Sequence, residues 1–273
     1  MRLIDAATLK LHNFTSSPTG TPAYAILSHT WGPSEVGFRE LRDLGVSVRA
    51  ARERTMSKAG YYKIKKCCSQ ALEDGLKWVW VDTCCIDKRS SAELSEAINS
   101  MFQWYRNAVK CYAYLDDIDI YGPTRSGRRE SISSDARLGA QIGIISEQEL
   151  SKARWFTRGW TLQELIAPKR VIFYDRAWIR LGDKFTMKKK LSRITGIGES
   201  VLETGNLDTE TICQRMTWAS CRRTTRVEDI AYCLMGIFDV NMPLLYGEGE
   251  KAFVRLQEEI MKDSDDETLF AWN

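Results

Sequence analysis

Four short apolar runs punctuate the first part of this 273-residue chain: Tyr24–Ser28, Trp78–Asp82, Cys111–Leu115 and Val171–Tyr174. Each is rich in aliphatic or aromatic residues and stops at polar ones, as strands buried on both faces do. Helical patterns lie between them. Ile64, Cys67, Ala71 and Leu72 recur at helical spacing before the second run, and Leu94, Ala97, Ile98, Met101, Tyr105 and Ala108 form an apolar stripe before the third. Strands alternating with helices predict an α/β fold: a parallel sheet with flanking helices. Residues 1–176 carry this core. Beyond it, over 177–273, the pattern turns mainly helical, with Phe253, Leu256 and Ile260 marking a last amphipathic helix. No Pro- or Ser-rich linker separates the two parts. The expectation is one domain, its helical C-terminal part packed on the sheet.

Three stretches read as capping boxes, in which a hydroxyl and a carboxylate satisfy helix-start amides reciprocally: Ser90–Glu93, Ser146–Glu149 and Thr225–Glu228. The second opens a helical region running toward Trp160 and ending near Pro168. The polar, basic stretch from Gly122 to Ser131 reads as a surface loop.

Net charge of +3 argues for neither nucleic acid nor a membrane surface as partner. The N-terminus lacks the apolar core of a secretory signal, and no apolar run reaches membrane-spanning length. Four of the eight cysteines form two adjacent pairs, Cys67-Cys68 and Cys84-Cys85, which suit a reducing, cytoplasmic setting better than a disulfide framework. No C-x-x-C occurs, and the two histidines, His12 and His29, lie far from most cysteines, so no metal site is expected.

In open parallel sheets, ligands bind beyond the carboxyl ends of the strands. That rule selects Ser28-His29-Thr30-Trp31, Asp82-Thr83-Cys84, Asp116-Asp117 and Asp175. Adjacent side chains at a strand end point to opposite faces, which argues against a Ser28–His29 dyad. No phosphate loop or dinucleotide fingerprint is present. Glu164 is a further candidate: it lies four residues after Trp160, in the apolar segment Arg158-Gly159-Trp160-Thr161-Leu162-Gln163-Glu164-Leu165. Its carboxylate either serves a salt bridge or faces a cleft. Arg222, Arg223, Arg226, Glu228 and Asp229 read as an ion-pair network holding the helical part to the sheet, with a second functional site in the helical part as the alternative.

Together, Tyr24 to Gly32, Trp80 to Asp87 and Trp155 to Leu165 resemble the fungal heterokaryon-incompatibility (HET) domain. Arg215 to Ser220, Asp229 to Tyr232 and Pro243 to Gly249 match the same pattern, so the resemblance covers nearly the whole chain. It implies a cell-death effector of fungal nonself recognition. Self-association is implied as the activator, often with a nucleotide-binding oligomerisation module in the same or a partner protein. The HET domain is in turn similar to Toll/interleukin-1 receptor (TIR) domains, which implies a TIR-like (flavodoxin-like) sheet. Trp160 to Leu165 is similar to the TIR segment W-C-x-x-E-L, with Thr161 in place of the cysteine. In NAD-cleaving members that segment carries the catalytic glutamate, here Glu164.

The resemblance therefore implies NAD as substrate and no cofactor. Cleavage of the nicotinamide–ribose bond passes through an oxocarbenium-like state that one carboxylate can stabilise. Trp31 or Trp160 would stack on a ring, and Ser28, His29, Thr30, Asp82 and Cys84 would line the same cleft. The alternatives are a non-catalytic signalling module that recruits partners, and a nucleoside or nucleotide hydrolase on the same sheet.

Overall fold

The computed structural model describes residues 1–15, 20–121, 145–264 and 266–271; the basic stretch from Gly122 to Ser131 lies outside them. Seven strands form one sheet: β1 Arg2–Asp5, β2 Leu11–Asn13, β3 Tyr24–His29, β4 Trp78–Trp80, β5 Lys110–Tyr114, β6 Val171–Tyr174 and β7 Arg180–Asp183. Their order is β2-β1-β4-β3-β5-β6-β7. The four expected strands, β3 to β6, run parallel to one another. Every residue of β3 is buried, as expected of a strand covered on both faces.

The three strands that sequence patterning missed are the antiparallel ones at the two edges. They are three or four residues long, too short to show an alternation of period two. The sheet is therefore mixed, with a parallel centre.

Within the parallel centre the chain passes from β3 to one neighbour, β4, and then to the other, β5. Strand order reverses at β3, the first strand of this parallel centre, and ligands of such sheets bind beyond the carboxyl ends of the strands near that point. Two long helices pack on the sheet. Ala59–Glu73 buries Ile64, Cys67, Cys68 and Ala71, while Leu72 faces outward. Ser91–Asn107 buries Ala97, Ile98, Met101, Phe102 and Tyr105, the expected stripe. Its Ser90 hydroxyl caps the Glu93 amide at 3.2 Å. The Glu93 carboxylate instead accepts from the Asp87 amide at 2.7 Å and pairs with Arg2, so this box is only half formed.

The β5-to-β6 connection contains a full capping box at Ser146, but not one continuous helix. It breaks into Glu147–Leu150, a 3-10 turn at Arg154–Thr157, and Thr161–Ile166. All six residues of this last helix are buried. Its end leaves carbonyls unpaired within the helix. The buried ammonium of Lys184, the residue after β7, donates to those of Leu165 (3.2 Å), Ile166 (3.3 Å) and Pro168 (2.5 Å).

The C-terminal part packs against this connection. The Arg223 amide donates to the Thr157 carbonyl at 2.7 Å, and the Gly159 amide to that of Arg223 at 3.0 Å. Gly159 permits this approach: a β-carbon there would lie 2.6 Å from Thr224 Cγ2 and 3.0 Å from Cys233 Sγ. Gly236, on the helix Met235–Phe238, likewise sits against the Phe102 side chain, 2.2 Å from where its β-carbon would be.

The expected ion-pair network is absent among the described residues. Buried Arg222 donates instead to the carbonyls of Trp218 (3.2 Å) and Arg158 (2.9 Å) and to the Thr161 hydroxyl (3.0 Å). Glu228 accepts from the Gly247 and Gly249 amides at 2.7 and 3.2 Å, so the third capping box does not form either. All eight cysteines are free thiols. Among the described residues no helix is long and apolar enough to cross a membrane, and no cluster of three metal-ligating side chains occurs.

Candidate active site

A cavity of about 220 Å³ opens beyond the carboxyl ends of β3 and β4, where His29, Trp31 and Asp82 line it. The buried helix Thr161–Ile166 forms its floor and brings Glu164 to it. Glu164 is 7% exposed. It makes no ion pair among the described residues; its carboxyl is held by hydroxyls. Trp155 donates its indole N–H to Ser28 Oγ at 2.8 Å, which leaves the Ser28 proton for Glu164 Oε2. The Tyr105 hydroxyl, which donates to the Leu27 carbonyl at 3.1 Å, also approaches the carboxyl. Burial pushes the Glu164 pKa up to about 8, and the negative Asp82 adds to the rise. The Ser28 and Tyr105 hydroxyls and the Arg158 charge offset only part of it. At neutral pH these surroundings therefore hold Glu164 mainly as the neutral acid.

The rim is built by the end of β3 and the one-turn helix Asp82–Cys85. Lys63, buried on the helix Ala59–Glu73, contacts His29 Nδ1 at 2.8 Å and pairs with Glu35. An ammonium has only protons to give, so Nδ1 accepts and Nε2 carries the hydrogen. That Nε2–H donates to Asp82 Oδ1 at 3.0 Å, and the Trp31 indole N–H donates to Oδ2 at 2.7 Å. Burial alone would raise the Asp82 pKa. The His29 hydrogen bond, the Lys88 charge and the Trp31 hydrogen bond outweigh it and hold the group at about 2. Both His29 nitrogens are committed, so His29 positions Asp82 and has no nitrogen left for acid–base chemistry.

Of the residues singled out from sequence, Glu164, His29, Trp31, Asp82 and Trp160 line the cavity together. Ser28 lies beneath it and acts through Glu164. Thr30 and Cys84 do not reach it. The Thr30 hydroxyl turns to Asp116 at 3.0 Å. The Cys84 thiol points into the core against the Val81 carbonyl, where burial drives its pKa well up. Asp175 closes its own loop by accepting from the amides of Ile120, Ala177 and Ile179.

Arg226 and Asp229, read from the sequence as an ion-pair network or a second functional site, instead belong to the opposite wall of this same cavity, a placement that sequence reasoning did not foresee. Thr225, Arg226, Asp229 and Tyr246 of the C-terminal part face the same cavity. The Arg226 guanidinium lies over the Tyr246 ring, 4.3 Å from its centre, and the Tyr246 hydroxyl donates to Asp229 at 3.0 Å. Arg158 donates to the Thr225 hydroxyl at 3.1 Å across the seam between the two parts. Leu94, Ile98 and Met101, three members of the helical stripe, form the apolar side. The cavity thus combines three carboxyls (Glu164, Asp82 and Asp229), two indoles and two guanidiniums.

Residues 24–164, from β3 to the floor carboxyl, match the heterokaryon incompatibility protein (HET) family. The chain belongs to the HET family. Residues 251–273 match a domain of unknown function (DUF8212). The chain is similar to Vegetative incompatibility protein HET-E-1 of Podospora anserina, 48% identical over 250 residues, which is 90% of this chain and 17% of that protein. It therefore spans less than a fifth of that relative's length. No solved structure matches it. The HET match stops at Glu164, so the wall carrying Arg226, Asp229 and Tyr246 lies outside it.

Proposed function

We propose that this HET domain cleaves NAD at the nicotinamide–ribose bond, with Glu164 as the catalytic carboxylate. The observation that carries the reading is the placement of Glu164: a buried carboxyl without an ion-pair partner among the described residues, held by Ser28 and Tyr105, on the floor of a cavity beyond the carboxyl ends of β3 and β4. The reaction needs one carboxylate. The bonding pair of the C–N bond leaves with nicotinamide, which departs neutral. Positive charge develops on the ribose, and water then adds to the anomeric carbon and gives up a proton. Glu164 stabilises that charge and contacts the ribose hydroxyls. The cationic pyridinium favours the ionised form of a nearby carboxyl, so substrate binding itself helps to deprotonate Glu164. Arg158 and Arg226 suit the diphosphate, and Trp160 suits a stacked ring.

The order of the parallel strands, second-first-third-fourth, supports the TIR-like reading of the core. By analogy with its incompatibility relative, the domain acts in fungal incompatibility as a cytoplasmic cell-death effector. Self-association activates it, with a nucleotide-binding oligomerisation module as the natural partner. Neither nucleic acid nor a membrane is its target.

The test is nicotinamide release from NAD by concentrated protein. Glu164→Gln should reduce the rate by about 10³-fold while leaving the circular dichroism spectrum intact. Wild-type kcat/KM, which reports the free protein, should rise with pH and level off above about 8 as Glu164 ionises. Equal rates for wild type and a folded Glu164→Gln would exclude the assignment.

A further inference from the structure

Lys88 stands on the turn after the one-turn helix Asp82–Cys85. Its ammonium lies over the Trp31 ring, 3.4 Å from the ring centre. The same indole donates its N–H to Asp82, whose other oxygen takes the His29 N–H. These four side chains line the cavity that contains Glu164. An aromatic face beside an anionic carboxylate is recognition chemistry for a cation. Here the cation is the protein's own.

Lys88 is poorly suited to be a permanent occupant. It is an exposed residue on a turn, with a flexible stem that can carry its charge into water. Trp31 is 50% exposed, so an incoming flat ring can reach its face. Asp82, by contrast, is fixed from beneath by the chain of contacts through His29, Lys63 and Glu35. A planar ring with one positive charge would replace the ammonium's charge against Asp82 and cover more of the indole. A neutral ring has no charge to offer in exchange.

We propose that Trp31 and Asp82 form a subsite for a planar aromatic cation of the N-alkylpyridinium class, and that Lys88 is a built-in placeholder displaced when such a ring enters. The proposal rests on this cavity being the substrate site, as in the reading above, but not on bond cleavage. With NAD as substrate, the subsite selects the oxidised ring at the binding step, because the reduced dihydropyridine is neutral.

The experiment is an NMR titration of the full chain with 1-methylnicotinamide, a cation, and with nicotinamide, its neutral counterpart. Wild type should bind the cation about tenfold more tightly. Trp31→Ala and Asp82→Asn should each remove the preference. Trp31→Phe, which keeps a ring but loses the N–H, should retain part of it. Lys88→Met should tighten cation binding several-fold, because the internal competitor is gone. Equal affinity of the two compounds for wild type overturns the proposal. So does weaker cation binding by Lys88→Met, which would make Lys88 a ligand for an anionic group. Cleavage is read separately: a wild-type protein that prefers the cation yet releases no nicotinamide from NAD sinks the cleavage reading and supports the subsite.

Discussion

Glu164 on the cavity floor and Asp82 on its rim are both carboxyl groups facing one cavity, yet their surroundings drive their protonation apart. Around Glu164 the partners are hydroxyls and apolar walls, and burial decides: its pKa stands near 8. Around Asp82 a histidine N–H, an indole N–H and a lysine charge outweigh burial, and its pKa stands near 2. Pairs of titratable groups pushed apart in this way are a mark of working sites, because each can then take a different role at one pH. The floor is poised to ionise when a positive charge arrives. The rim is anionic throughout.

The comparison has opposite consequences for stability. Glu164 keeps its proton in the folded chain to about pH 8 and releases it near its ordinary 4.5 when unfolded. Its contribution to stability is therefore fully present below pH 4.5 and lost as pH rises through 8. Glu164→Gln cannot ionise, so it should gain on wild type across that window, by on the order of 5 kcal/mol at pH 9. Urea denaturation at pH 4 and pH 9 checks this; no change in the difference between the two would mean the floor is more polar than drawn here.

Asp82 has the reverse sign. Its depressed pKa contributes stability above its ordinary 3.8 that disappears as pH falls through 2. Asp82→Asn should cost about 2 kcal/mol at pH 7 and close to nothing at pH 2. An equal cost at both pH values would make its role one of packing rather than charge.

The smallest expected effect concerns the seam between the two cavity walls. Gly159→Ala forces a methyl group toward Thr224 and Cys233. We expect a loss of about 1.5 kcal/mol by denaturant titration, with NAD cleavage reduced because the contact of Arg158 with Thr225, beside Arg226, is disturbed. Full activity with lowered stability would show that the C-terminal wall only props the floor.

The floor and rim were the parts of the site legible in sequence. β3, β4 and β5 announce themselves as continuous apolar runs, and the rule for parallel sheets then points to their carboxyl ends. Glu164 stands out as an isolated charge in a buried helix. The rule selects positions, however, and not side-chain directions. Thr30 and Cys84 stand at strand ends yet turn to Asp116 and to the core.

The opposite wall left no periodic signal. Arg226, Asp229 and Tyr246 reach the cavity because backbone pairing between Gly159 and Arg223, and the carbonyl contacts of Arg222, fold a distant segment over it. Lys63 was equally hidden: it occupies a helix position like any surface lysine, and only the fold turns it inward onto His29. Thr225 to Glu228 had the spacing of a capping box, but Glu228 instead accepts from two amides of the Gly247–Gly249 turn.

The most direct test of the central claim is the structure of the chain bound to a non-hydrolysable NAD analogue. The account predicts the nicotinamide ribose on the cavity floor, its anomeric carbon in contact with the Glu164 carboxyl, and the diphosphate between Arg158 and Arg226. An analogue bound outside the cavity, or inside it with its ribose turned away from Glu164, would contradict it.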